Sequence, residues 1–254
     1  MATNMKKILY FLLFFAALSA NVFGQRIPIP FGTGAPTAYT LPTANMVGHW
    51  DASVASSVHV STGVSQWDDI SGAGHHMLQA TGANQPVYSG SGITSKIAFD
   101  GSNDYLRATW TLNQPITMYM VVKTVTNRSN DVLFDGGVSN TLVFQQATYP
   151  NVFLNGLNFN LTGLTTGVFQ CISMVANSSG TSSMTCQGSA FNNLGGSSPG
   201  GASMGGFTIG ARVGFFYSIM EVQEIIIYDT NHSVNSISVT QANIISYLRT
   251  KWGI

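Results

Sequence analysis

Short runs of β-branched and aromatic residues, each closed by Gly, Asn, Asp or Ser, recur from Met46 almost to the C-terminus. No other feature constrains the fold as much. Runs this short cannot carry a helical stripe, and the residues between them are those that reverse a chain. The pattern is that of an antiparallel β-sandwich. It predicts strands at 97–100, 105–109, 117–124, 131–135, 141–146, 151–154, 169–176, 182–186, 206–211 and 217–228. The run from Thr117 to Thr124, rich in Met, Tyr and Val, has the character of a central strand. Helix is expected only at the end. Ser238 and Gln241 fit a capping box, with Ser238 as N-cap. Ile244, Leu248 and Trp252 then recur every four residues, with Ile245 beside them, and Gly253 stops the helix. The expected fold is all-β: a two-sheet antiparallel sandwich with a short C-terminal helix docked on it.

The N-terminus reads differently. Lys6 and Lys7 precede the apolar run Ile8–Leu18, and Val22 and Gly24 stand at the −3 and −1 places of a cleavage site before Gln25. Charge, apolar core and small-residue exit make residues 1–24 a signal peptide. The apolar core is about 11 residues, against the roughly 20 a membrane span needs. Residues 25–44 hold half of the eight prolines and read as an extended lead-in. Residues 45–254 are the folded domain. The expected location is secreted, extracellular or periplasmic, and no later stretch is apolar enough to span a membrane.

Net charge is zero and only 8 % of residues are charged. Lys and Arg form no basic stripe, which argues against nucleic acid as a partner. The two cysteines, Cys171 and Cys186, flank the turn signal Asn177-Ser178-Ser179-Gly180. If those four residues form the loop, residues whose numbers sum to 357 face each other. Cys171 then meets Cys186 at a close, non-hydrogen-bonded pair, where an oxidising compartment would join them as a disulfide.

Several local motifs together resemble the concanavalin A-like lectin/glucanase superfamily, in particular the laminin-G-like jelly-roll domains of secreted bacterial proteins. They are His49-Trp50-Asp51-Ala52-Ser53, Trp67-Asp68-Asp69-Ile70-Ser71-Gly72, Gly74-His75-His76, Phe99-Asp100-Gly101-Ser102-Asn103-Asp104-Tyr105, Glu224-Ile-Ile-Ile-Tyr-Asp229 and Lys251-Trp252-Gly253. The resemblance spans roughly 46–254, and between about 140 and 205 it is one of strand rhythm only. It implies a two-sheet antiparallel jelly roll. It implies no single activity, because this architecture carries binders and enzymes alike.

Glycosidases of that superfamily carry a Glu-x-Asp-x-x-Glu cluster on one strand. This chain has only two glutamates, Glu221 and Glu224, with no Asp between them. A spacing of three on a regular strand puts them on opposite faces. Catalytic carboxylates must converge across one bond, so no catalytic residue is assigned and the chain is not expected to be an enzyme. The Gly-x-Ser-x-Gly matches at 196–200 and 201–205 lie in a Gly/Ser loop, without the strand and helix a nucleophile elbow needs. His75 and His76 are adjacent, point apart if extended, and cannot share one ion. Asp100, Asn103 and Asp104 crowd one turn. They could suit a calcium ion, but an Asx turn that bonds its own backbone is the better reading. Trp50, Trp67 and Trp252 read as core. Candidate sugar-contacting residues are Trp110, Tyr149, Asn151, Asn155 and Tyr217, because sugar sites pair an aromatic face with amides and hydroxyls.

The expected role is a secreted non-catalytic module that binds carbohydrate or another cell-surface ligand. A structural or adhesive role in a surface layer, appendage or particle is the alternative, and a glycan-cleaving enzyme ranks last. No cofactor is required, calcium being the one candidate ion. The oligomeric state does not follow from the sequence.

Overall fold

A computed structural model describes residues 39–254, apart from short internal segments at 127–130, 139–140, 142–143, 147–150, 155–156, 161–163, 179–181, 188, 191, 196–202, 214 and 233–236. The expected signal peptide and most of the expected lead-in lie outside the described residues. So do Tyr149, Asn155 and the first Gly-x-Ser-x-Gly match.

The chain folds as an all-β sandwich of two large antiparallel sheets with one C-terminal helix, Ile237–Trp252. One sheet is eight-stranded. Its centre is Ile219–Tyr228, flanked by Ile116–Thr124 on one side. On the other side lie Lys96–Asp100 and Met46–Asp51, each along a different half of that long strand. The second sheet is ten-stranded and runs from Asn192–Gly195 at one edge to Val58–Val60 at the other.

Strand alternation divides the eight-stranded sheet into two faces. Met118, Met120, Val122, Ile225 and Ile227 point into the core between the sheets, with Trp50, Trp67, Phe134 and Phe207. Tyr119, Val121, Ile226 and Tyr228 point the other way and form a second core with Ile244, Ile245, Leu248 and Trp252 of the helix. Each large apolar side chain buried beneath the helix contributes about 1.5–3 kcal/mol. The expected helical stripe is therefore the docked face. The helix begins at Ile237, so Ser238 lies inside its first turn and is not the N-cap. It ends where expected, with Gly253 at φ 68°.

The expected disulfide is absent, and the pairing register explains why. Gln170–Ala176 and Ser183–Cys186 pair as Ile172 with Cys186 and Val175 with Ser183. The numbers sum to 358, one more than the turn signal suggested. A slip of one residue exchanges faces. Cys171 consequently packs under the helix while Cys186 packs in the inter-sheet core. Both remain thiols. Burial pushes Cys186 up to about 11 and Cys171 higher still. An aromatic disulfide reagent is therefore expected to titrate neither cysteine in the native protein and both after denaturation, because the thiolate is the reactive form. Dithiothreitol should leave the melting temperature unchanged. A melting temperature that falls on reduction would show that the bridge forms after all.

Candidate functional site

Two of the family-like motifs meet at the surface beside the first strand. Asp69 directs this meeting. Its Oδ1 accepts the backbone N–H of His49 and of Ser71, both at 2.9 Å, and its Oδ2 accepts that of His75 at 3.0 Å. Its own N–H donates to His76 Nδ1. Burial alone would raise the Asp69 carboxyl, but these hydrogen bonds outweigh it and hold the group below the usual carboxylate range. The loop 69–76 is thereby fastened to Met46–Asp51, where Ile70 also donates its N–H to the His49 carbonyl.

The fastening places His75. Its Nδ1 donates to the Val47 carbonyl at 2.7 Å, and its ring lies flat on Trp110, 4.4 Å between centroids and 11° between planes. Trp110 in turn packs on Trp50, Trp50 on Phe207 and Phe207 on Phe134, with centroids 6.3, 6.5 and 5.6 Å apart. An aromatic column thus runs from the core to the surface. Gly48 makes room for it, since a Cβ there would lie 2.2 Å from the Trp50 ring. The outer end of the column is one wall of a cleft of about 440 Å³. Thr111, Asn113, Gln114 and Asp229 complete the polar part of its lining. Trp110 and His75 are half-buried, and Thr111, Asn113 and Asp229 are exposed. A cleft this size with an aromatic wall, two amides, a hydroxyl and a carboxylate can hold a small polar molecule and fix its orientation.

Of the residues expected to contact sugar, Trp110 is in this cleft. Tyr217 is not. It pairs with Ala211 in the two-stranded hairpin that carries exposed Phe215 and Phe216. Asn151 begins the strand Asn151–Leu154 of the ten-stranded sheet. The crowded turn at Asp100 is satisfied by its own backbone. Asp100 Oδ1 accepts the N–H of Ser102 and of Asn103, and Asp104 Oδ2 accepts that of Asp100. Burial pushes Asp104 up to about 6; the Asp100 N–H opposes that and the Asp100 carboxylate adds to it.

The two glutamates do not lie on opposite faces. Glu221 pairs with Lys123 and Glu224 with Val121, and the register shifts between Val222 and Glu224. Gln223 is the extra residue of a β-bulge, which resets the alternation and turns both glutamates toward the helix side. Each is ion-paired there. Glu221 is ion-paired with Lys96 and Lys123, at 2.9 and 2.6 Å. Glu224, wholly buried, receives His49 Nε2 on Oε1 at 2.8 Å, and both Lys251 Nζ and Trp252 Nε1 on Oε2 at 2.6 Å. Lys251 also donates to Asp51 Oδ2 at 2.5 Å, while Asp51 Oδ1 accepts the N–H and hydroxyl of Ser53. His49, Asp51 and Glu224 offer ligand atoms within 4.8 Å of one another, as a metal site would. The Lys251 ammonium already supplies a positive charge to both carboxylates, and all four of their oxygens have partners. The arrangement is a buried ion network that ties the helix end to Met46–Asp51 and Ile219–Tyr228. Sequence reasoning missed it. The available signal was a glutamate inside an apolar strand of a chain so poor in charge, since a buried carboxylate must be paired.

No family model and no curated protein matches the chain. Solved structures do match in shape. Domain 4 of AbnA, an extracellular GH43 arabinanase from Geobacillus stearothermophilus in complex with arabinotriose, superposes at TM-score 0.56 with 11 % identity, covering 78 % of this chain and 98 % of that one. The binding domain of Paraclostridial Mosquitocidal Protein 1 gives 0.55 and 11 %, over 79 % and 52 % of the two chains. A Trypanosoma rangeli sialidase mutant displaying trans-sialidase activity gives 0.52 and 15 %, over 84 % and 34 %. The chain thus spans about a third of the sialidase and about half of the mosquitocidal binding domain. At these identities the likeness shows a shared β-sandwich fold.

Proposed function

We propose that the chain is an exported, non-catalytic binding module of the concanavalin A-like, laminin-G-like type, which holds a glycan in the cleft beside Trp110. One observation carries this reading: the Trp110–His75 stack stands in a polar cleft next to Thr111, Asn113 and Gln114. Aromatic surface beside amides and hydroxyls is what a sugar ring, with its apolar faces and polar rim, calls for. The arabinotriose complex of the AbnA domain supports a saccharide as the ligand class. The ion pairs that occupy Glu221 and Glu224 support the non-catalytic part. The signal-peptide pattern at 1–24 supports export, and no helix among the described residues is long and apolar enough to cross a membrane. Calcium is not required in this scheme.

The test is a glycan array followed by calorimetric titration of residues 25–254, in calcium and in EDTA. Binding to at least one saccharide family is expected, equal in both buffers. Trp110→Ala should weaken it about tenfold, as loss of an aromatic anchor does, with only a small fall in the stability of the sandwich, since Trp110 also packs on Trp50. If no glycan binds and the purified domain forms a defined oligomer, a structural role in a surface layer or particle replaces this reading.

A further inference from the structure

The cleft carries a charge pattern as well as a shape. Among the described residues that line it, Asp229 is the single carboxylate, and no Lys or Arg is present. Asp229 follows the end of the central strand Ile219–Tyr228 and is exposed, its backbone N–H held by the Asn45 carbonyl at 2.9 Å. The lysine groups that meet carboxylates elsewhere in the fold are committed to Glu221, Asp51 and Glu224. His75 adds to the pattern. A carbonyl can only accept, so Nδ1 must carry the proton given to Val47. In the neutral ring Nε2 is then an acceptor. The cleft wall therefore offers a carboxylate and no Lys or Arg to balance it. It suits hydroxyl and ammonium donors and disfavours anions.

We infer that Asp229 sets the class of glycan bound: neutral and amino sugars are taken, and uronate- or sialate-bearing sugars are rejected. This rests on the proposed glycan-binding role and assigns Asp229 as its selectivity residue. An exposed charge a few ångströms from a ligand charge changes affinity by roughly fivefold in water, and salt screens it.

The experiment titrates the wild-type protein and Asp229→Asn with three probes at low ionic strength: an N-acetylglucosamine hexamer, a glucosamine hexamer and a galacturonate hexamer. For the wild-type protein the galacturonate hexamer is expected to bind weakest. The substitution should strengthen galacturonate binding about fivefold and weaken glucosamine binding about fivefold. N-acetylglucosamine binding should stay unchanged. Repeating the series at about 0.5 M salt should shrink these differences to roughly twofold, which a merely structural effect of the substitution would not do. Binding of all three probes with the same ratio between wild type and variant would overturn the inference while leaving the glycan-binding role intact. Absence of binding by all three probes to both proteins would overturn the selectivity, and a blank glycan array beside it would remove the glycan-binding role as well.

Discussion

Lys251→Met is expected to lower the unfolding free energy by about 3–5 kcal/mol, the usual effect of removing one partner from a buried ion pair. In a domain of this size that is roughly 10 °C in melting temperature. The reason lies in what remains. Glu224 is wholly buried and Asp51 nearly so, and the ammonium is the cation shared by both. Without it, two carboxylates face each other across Met46–Asp51 and Ile219–Tyr228, with only the neighbours His49, Trp252 and Ser53 to answer them and no lysine. Urea unfolding followed by tryptophan fluorescence measures the loss. A double variant, Lys251→Met with Glu224→Gln, should recover part of it, because the stranded charge is then gone. The pH dependence has a definite sign. Burial opposes the Lys251 charge, but Glu224 and Asp51 outweigh it and raise the group above its ordinary value. A raised lysine contributes fully below its unfolded value of about 10.4 and loses that contribution as pH climbs past the folded value. Wild-type stability should therefore hold into mild alkali and fail beyond it. An unfolding midpoint unchanged by Lys251→Met would show that the network does not hold the helix.

Much of the fold was legible in the residues, although the short strands between Met46 and Ser89 were not assigned, and the two pairing errors share one cause. The runs at 97–100, 117–124, 169–176 and 217–228 carry dense β-branched and aromatic text, and they gave neighbouring strands of the eight-stranded sheet, with Tyr217 falling in the two-stranded hairpin instead. The Ile244, Leu248, Trp252 stripe became the docked face of the helix because a period near four survives any tertiary context. What failed was register. The Cys171–Cys186 pairing and the opposite-face reading of Glu221 and Glu224 both assumed uninterrupted alternation. A one-residue slip undid the first and a bulge at Gln223 the second. Neither leaves a mark in local sequence, since Gln223 is an ordinary strand residue and the slip is set by packing of Met174 and Met184 in the core. The cleft was half legible. Trp110 stood out as an aromatic near a turn, whereas His75, Asn113 and Asp229 come from three distant segments. Only the closed sandwich brings them together.

Asp69→Ala should both destabilise the domain, by about 3 kcal/mol, and abolish retention of glycan at the cleft. One side chain carries both effects because it serves two ends of the structure. It accepts three backbone N–H groups, from His49 in the first strand and from Ser71 and His75 in the loop. Losing each costs about 1 kcal/mol. The loop then no longer holds the His75 ring against Trp110, and the cleft loses the outer part of its aromatic wall. Trp110→Ala should instead reduce binding with a smaller change in stability, so the pair separates positioning from contact. Acid should reproduce the alanine effect in the wild-type protein. The folded Asp69 carboxyl is held below its ordinary value of about 3.9. Its contribution is therefore complete above about pH 4 and falls away as pH drops through the folded value. Amide hydrogen exchange at His49, Ser71 and His75 should stay slow from neutrality to about pH 4 and accelerate relative to the sheet core below it. Asp69→Asn, which keeps one accepting oxygen and turns a donor toward the remaining N–H groups, should fall between wild type and alanine at neutral pH and show no acid step. If the asparagine variant shows the same acid transition as the wild type, the loop is held by a different group and His75 is positioned without Asp69.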